Sequence, residues 1–176
     1  MNAAAAAAAA ISAGAPAEWV VRGLASYEVG EMRGRIVEAP GGYTVVDDCY
    51  NAAPDSMRAA LELLADLPGD RKWAVLGDMK ELGDASIDAH HEVGRVAAGT
   101  GLAGLVTVGE LGHHIAEGAR EAGLSDVTAV AGNAAAASAV ASRLTAGDVV
   151  LVKGSRAMQM EEIVAALLGT EEGGHE

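Results

Sequence analysis

From residue 43 to residue 168 the chain alternates between two kinds of segment. Short, unbroken apolar runs at residues 43–46, 73–76, 104–108, 127–130 and 149–152 are each followed by a helix-length window, at 54–67, 85–98, 111–122, 133–144 and 158–168. Strands alternating with helices of this length form βαβ units. A strand that is apolar throughout, rather than at every second residue, is one covered on both faces. The expectation is an α/β fold with a mostly parallel sheet. Window 54–67 shows the pattern most clearly, since Met57, Ala60, Leu61 and Leu64 recur at helical spacing on one face.

Upstream, residues 35–39 and 43–46 read as two strands joined at Pro40-Gly41-Gly42, so a hairpin is expected there. Residues 29–34 form a Gly-punctuated link, and residues 16–27 a short helix with Pro16 at its start. The opening MNAAAAAAAAISAG has no basic n-region, and alanine is too weakly apolar for a signal-peptide core. It reads as a small-residue helix that packs closely against a surface outside this chain. Residues 169–176 are polar and expected to be a disordered tail.

The composition narrows the partners. Twenty-five acidic against twelve basic residues give a net charge of −13, which argues against nucleic acid or an anionic membrane. No run approaches the ~20 strongly apolar residues of a membrane span. The single cysteine excludes an internal disulfide framework and fits a reducing cytoplasm. With no Phe and 3% aromatic residues, the interior must be filled by Ala, Val and Leu.

In a parallel sheet, ligands sit beyond the carboxyl ends of the strands. Those ends carry Asp47-Asp48, Gly77-Asp78, Gly109-Glu110 and Lys153-Gly154-Ser155-Arg156. Two constellations stand out. In the first, Arg35 precedes Asp47-Asp48-Cys49-Tyr50-Asn51. A carboxylate at a strand mouth suits the vicinal hydroxyls of a ribose, and an Arg fork suits phosphate. The plainer alternative is that the acids cap the next helix or serve the turn, although Asp55 is the better placed capping and dipole residue. In the second, Lys153 and Arg156 are a positive pair at a strand end. Gly154 permits close backbone approach, and Ser155 adds a hydroxyl at the start of the last helix, which together make an anion pocket. The alternative is that both bases pair with Glu161 or Glu162.

Other chemistry lacks support. The lysines are Lys72, Lys80 and Lys153, and none follows a glycine, so the 176 residues contain no phosphate loop; no G-x-G-x-x-G follows a strand either. The pairs His90-His91 and His113-His114 are adjacent, so on a helix neither is expected to chelate through one face; they read as helix-surface or capping histidines, and no metal is expected. Cys49 reads as a small buried hydrophobe rather than a nucleophile.

Three strings, DDCYNAAPDSMRAALELLADLP, GDMKELG followed by His90-x-x-Val93-Gly94, and LVKGSRAMQMEEIV, resemble the Mur ligases, in particular the branch that adds D-alanyl-D-alanine to UDP-N-acetylmuramoyl-tripeptide. Asn2-Ala-x-Ala-Ala resembles the last part of the family's central ATPase domain, and the run from Trp19 to Gly34-Arg35 its exit into the C-terminal domain. The resemblance implies that residues 1–28 are the last helices of the central domain, a helical stub of a missing domain, and that residues 29–168 are a Rossmann-like C-terminal domain. It implies an ATP- and Mg²⁺-dependent amide-forming ligase of peptidoglycan precursor synthesis, acting through an acyl phosphate in the cytoplasm. Arg35 would contact ATP phosphate, Asp48 the ribose, and Tyr50 and Asn51 the adenine. Lys153, Ser155 and Arg156 would lie near the dipeptide. The chain departs from the family's D-S-Y-N-A-N-P at Cys49 and at Ala53, which lacks an amide. The phosphate loop, the Mg²⁺ ligands and the UDP-sugar-binding N-terminal domain are absent from this sequence, so the chain alone is expected to be inactive. A free-standing nucleotide- or peptide-binding module, or a sibling ligase, is the alternative.

Overall fold

The computed structural model describes residues 2–26 and 32–170. They belong to two compact units, Met1–Gly30 and Glu31–Glu176. The boundary expected after residue 28, the end of the 16–27 helix, the start of the 29–34 link and residues 171–176 of the tail lie outside the described residues.

In the smaller unit, helix α1 (Asn2–Ser12) is an alanine run, as intrinsic propensity favours. It stops where Gly14 takes a left-handed φ of 88°. Pro16 then precedes α2 (Ala17–Ala25), where its missing N–H costs nothing. None of the α2 side chains is buried, and Trp19 and Val21 are well exposed.

The larger unit is a six-stranded sheet between two layers of helices. Strands β1 (Arg35–Glu38) and β2 (Thr44–Asp48) form the expected antiparallel hairpin, closed by the Gly42 N–H donating to the Ala39 carbonyl. Then follow α3 (Pro54–Asp66), β3 (Lys72–Gly77), α4 (Ser86–Gly99), β4 (Gly104–Val108), α5 (Gly112–Glu121), β5 (Val127–Val130), α6 (Asn133–Ala141), β6 (Val149–Lys153) and α7 (Glu161–Leu168). The order across the sheet is β1-β2-β6-β3-β4-β5, with every pair but the first parallel. The chain therefore winds outward from β3 to β5, then returns to insert β6 between β2 and β3. That reversal is the kind of switch point at which open α/β sheets bind ligands.

Alternate residues of β2, β3, β4 and β6 supply two separate cores. Val46, Leu76 and Leu105 pack against α3, α4 and α5, where Met57, Ala60, Leu61 and Leu64 are all buried as the spacing predicts. Val45, Val75, Val106 and Val150 face α6 and α7. Each fully buried Leu or Met contributes about 1.5–3 kcal/mol relative to exposure. Helices α4 and α5 approach unusually closely because Gly94 and Gly118 sit at their crossing; a methyl on Gly94 would overlap the Ile115 carbonyl, and one on Gly118 the His91 carbonyl.

The structure differs from expectation at several edges, among them the end of α6 at Ala141 rather than residue 144. Strand β2 runs on through Asp47 and Asp48, which pair in register with Val152 and Lys153. The last helix does not begin at residue 158. A 3-10 turn, Arg156–Met158, is broken off by left-handed Gln159 (φ 49°), and α7 starts at Glu161. The α3 N-terminus is served by Ser56, not Asp55: the Ser56 hydroxyl accepts the Ala53 N–H at 3.0 Å, while Asp55 is almost fully exposed and pairs with Arg58.

Candidate functional site

The carboxyl ends of β2, β3 and β6 lie side by side at the switch point, and the three quoted strings meet there. On β2 the two aspartates diverge. Asp47 is buried, and its Oδ1 accepts the Cys49 N–H at 3.3 Å, a turn-supporting role. Burial pushes its carboxyl above the usual range, against the opposing hydrogen bonds from Cys49 and the charge of Arg35. Arg35 itself is exposed and sits across the hairpin from Asp47 in register, at the same end of the sheet. Asp48, one residue on, keeps a quarter of its side chain exposed.

Lys153, at the end of β6, is the neighbour of Asp48 in the parallel register. Its side chain is 2% exposed, and its Nζ donates to Asp48 Oδ2 at 2.6 Å and to the Asn51 carbonyl at 2.8 Å. Neither residue caps a helix. The expectation that Lys153 pairs with an acid of the last helix does not describe it, because strand order, invisible locally, brings β2 beside β6. Arg156 does pair with Glu161.

The loops after β3 and β6 are tied to each other. The Ser155 N–H donates to the Asp78 carbonyl at 3.0 Å, and the Ser155 hydroxyl accepts the Lys80 N–H at 2.8 Å. Ser155 thus sits at a loop and not at the start of α7. Gly154 lies against chain rather than open space: a methyl there would come 2.8 Å from Met160 Cγ and 3.3 Å from Gly77 Cα. Asp78 is 1% exposed and anchors a third element. Its Oδ1 accepts the N–H groups of Leu111 and Gly112 at 3.0 and 2.9 Å, at the start of α5, and its Oδ2 accepts Lys80 Nζ at 2.9 Å. An anion at a helix N-terminus is favoured by the unsatisfied amides and the helix dipole.

These loops enclose a cavity of about 690 Å³ lined by Tyr50, Asn51, Lys80, Glu81, Ser155, Arg156 and Ala157. Of the residues singled out from sequence, Tyr50, Asn51, Ser155 and Arg156 line it; Arg35, Asp48 and Lys153 do not, although Lys153 touches Asn51. Three of the lining residues, Lys80, Glu81 and Ala157, carried no sequence role. Lys80 and Glu81 belong to the GDMKELG string, and Glu81 holds a left-handed φ of 66°, uncommon for a non-glycine residue. The Arg33 guanidinium lies 3.8 Å above the Tyr50 ring.

Cys49 is fully buried, and burial, with Asp47 adding to it, pushes its thiol far up, so no thiolate nucleophile is available. The histidines depart from expectation. His90 is not a surface residue but fully buried: its Nε2 accepts the Met79 N–H at 2.8 Å, which leaves the proton on Nδ1 for the Ser86 carbonyl at 2.5 Å. Burial lowers its pKa. The His113 and His114 rings, in the first turn of α5, converge to 3.8 Å, and with Glu117 they form the only group of three such side chains among the described residues able to meet on an ion. No carboxylate triad among the described residues does so at the strand ends. Among the described residues no helix is long and apolar enough to cross a membrane.

Residues 32–156 match the family described as "Mur ligase, glutamate ligase domain". The UDP-N-acetylmuramoyl-tripeptide–D-alanyl-D-alanine ligase of Bacillus subtilis (strain 168) is 39% identical over 170 residues, 96% of this chain and 37% of that protein. That of Mycobacterium tuberculosis (strain H37Rv) is 39% identical over 191 residues, 97% of this chain and 38% of that protein. Among solved structures, MurF from Acinetobacter baumannii superposes with a TM-score of 0.84 at 32% identity, over 96% of this chain and 37% of the other. MurF ligase from Thermotoga maritima, solved in complex with ADP, superposes with a TM-score of 0.78 at 28% identity, over 92% and 36%. The chain thus spans little more than a third of the length of the curated relatives it matches.

Proposed function

The chain belongs to the Mur ligase family, and from that membership we propose that it forms the C-terminal domain of an ATP-dependent ligase joining D-alanyl-D-alanine to UDP-N-acetylmuramoyl-tripeptide in cytoplasmic peptidoglycan precursor synthesis. The observation that carries the reading is the convergence of the three strings around one cavity at the switch point of the sheet.

In this reading ATP phosphorylates the terminal carboxylate of the tripeptide, and the amine of the dipeptide attacks the acyl phosphate. The chain's residues bind and orient. Asp48 accepts the ribose hydroxyls, Arg35 faces a phosphate, and the adenine lies beside Tyr50 and Asn51, with the Arg33–Tyr50 stack stiffening that wall. Ser155 and Arg156 line the space for the dipeptide, whose carboxylate suits a guanidinium fork. A site of this kind works by holding reactants in attack geometry and excluding water. The residues present fit a nucleotide, since a partly exposed carboxylate and an aromatic wall lie at one strand end. They do not offer a Mg²⁺ cage of oxygen ligands. We assign the Mg²⁺ ligands and the phosphate loop to the part of the relatives that this chain does not span, and residues 1–28 to the last helices of the central domain.

The test is ADP release by a protein joining this chain to the remaining length of its relatives. Release is expected only with ATP, the UDP-linked tripeptide and D-alanyl-D-alanine together, and not from the 176 residues alone. Release with a single amino acid in place of the dipeptide would move the chain to a sibling ligase. Dipeptide-dependent release by the chain alone would refute the assignment of the phosphate loop to the unspanned part.

A further inference from the structure

The buried lysine at the end of β6 is the group whose placement departs furthest from a substrate-binding role. Its side chain is 2% exposed and it does not line the cavity, although Ser155 and Arg156, two and three residues further on, do. Two of its three N–H bonds are committed, to Asp48 Oδ2 at 2.6 Å and to the Asn51 carbonyl at 2.8 Å. Asp48 Oδ1 has no hydrogen-bond partner among the described residues, and the Asp48 side chain is a quarter exposed. One ammonium therefore pins one carboxylate oxygen and leaves the other presented outward.

We propose that Lys153 is a positioning residue for the nucleotide and not a ligand of the dipeptide: it fixes the Asp48 carboxylate and the Asn51 loop in the geometry that receives a ribose and its base. The proposal rests on the nucleotide reading of Asp48 given above. The chemistry favours this division of labour. An ammonium removed from water is costly unless paired and hydrogen-bonded, and here both partners belong to the β2 exit. A free Asp48 samples several rotamers; clamped at one oxygen, it loses that freedom before ligand arrives, so less is lost on binding. The clamp also joins two motifs about a hundred residues apart in sequence across one parallel strand pair.

The experiment uses the complete ligase containing this chain, carrying Lys153→Met, which keeps an unbranched apolar stem one atom shorter but loses the ammonium and its charge. Equilibrium ADP binding by calorimetry is read beside the separate KM values for ATP and D-alanyl-D-alanine. The ADP Kd and the ATP KM should each rise about tenfold, equivalent to about 1.4 kcal/mol, while the dipeptide KM stays within about twofold. A tenfold rise in the dipeptide KM with ADP binding unchanged overturns the proposal, and so does no change in either. Should the unpaired Asp48 prevent folding, Lys153→Met combined with Asp48→Asn removes the buried imbalance. The double variant should bind ADP as weakly as Asp48→Asn alone, and binding at the native level would again overturn the proposal. Failure of the unaltered ligase to bind ADP would remove the nucleotide reading and this inference together, whereas ADP binding without dipeptide-dependent turnover would sink only the assignment of substrate.

Discussion

Lys153 and Asp48 stand in register on neighbouring parallel strands, and the Lys153 ammonium donates to Asp48 Oδ2 at 2.6 Å. Removing one partner strands the other. Asp48→Ala should lower unfolding stability by about 3 kcal/mol, the low end of the cost of breaking a buried pair, because Asp48 keeps some exposure. Urea denaturation measures it, and a loss below about 0.5 kcal/mol would show the pair to behave as a surface one.

The α4–α5 crossing sets propensity against packing. In an exposed helix interior Gly→Ala stabilises by up to about 1 kcal/mol. At Gly94 the added methyl meets the Ile115 carbonyl, and at Gly118 the His91 carbonyl. Either Gly94→Ala or Gly118→Ala should therefore destabilise, by about 2–3 kcal/mol or more, and lower the melting temperature. A raised melting temperature would mean that the helices separate easily.

His90 gives stability a pH slope. Burial lowers its pKa from 6.5, outweighing the favourable Ser86 hydrogen bond and the charge of Asp78, while His114 and Lys80 push the same way as burial. Below pH 6.5 the unfolded chain takes up the proton more readily than the folded one, so stability is full above that value and declines as pH falls toward the folded pKa. Protonation would also set an Nε2 donor against the Met79 N–H. His90→Gln should flatten the dependence of the urea midpoint on pH just below 6.5; an unaltered slope would place its origin elsewhere.

Cys49 should be unreactive in the folded chain. It is wholly buried and its thiol is held protonated. A thiol-specific chromogenic reagent should label it only after denaturant is added, and rapid labelling of the native protein would contradict its placement.

What the sequence made legible is what repeats locally. Period and run length locate every strand, the hairpin at Pro40-Gly41-Gly42, and the buried face of α3, because side-chain spacing reflects which face is covered. Parallel strand order leaves no such trace. Nothing near Val149 says that β6 enters between β2 and β3, so the Lys153–Asp48 pair could not be read, nor the Asp78 contacts at the start of α5. His90 looked like a helix-surface histidine because its partner, the Met79 N–H, lies in a loop eleven residues earlier. That a cavity would open at the strand ends was legible, since α/β topology alone favours that place. Which side chains face the cavity was not: Lys80 and Glu81 reach it through a loop whose left-handed Glu81 has no sequence signature.

The most direct test of a nucleotide site at the β2–β6 strand ends is the ATP dependence of the complete ligase carrying Asp48→Asn, which keeps the side chain's shape and removes its charge. The ATP KM should rise about tenfold or more, with the D-alanyl-D-alanine KM unchanged. An unaltered ATP KM, in a protein that still folds and turns over, would return Asp48 to a purely structural partnership with Lys153 and contradict the account.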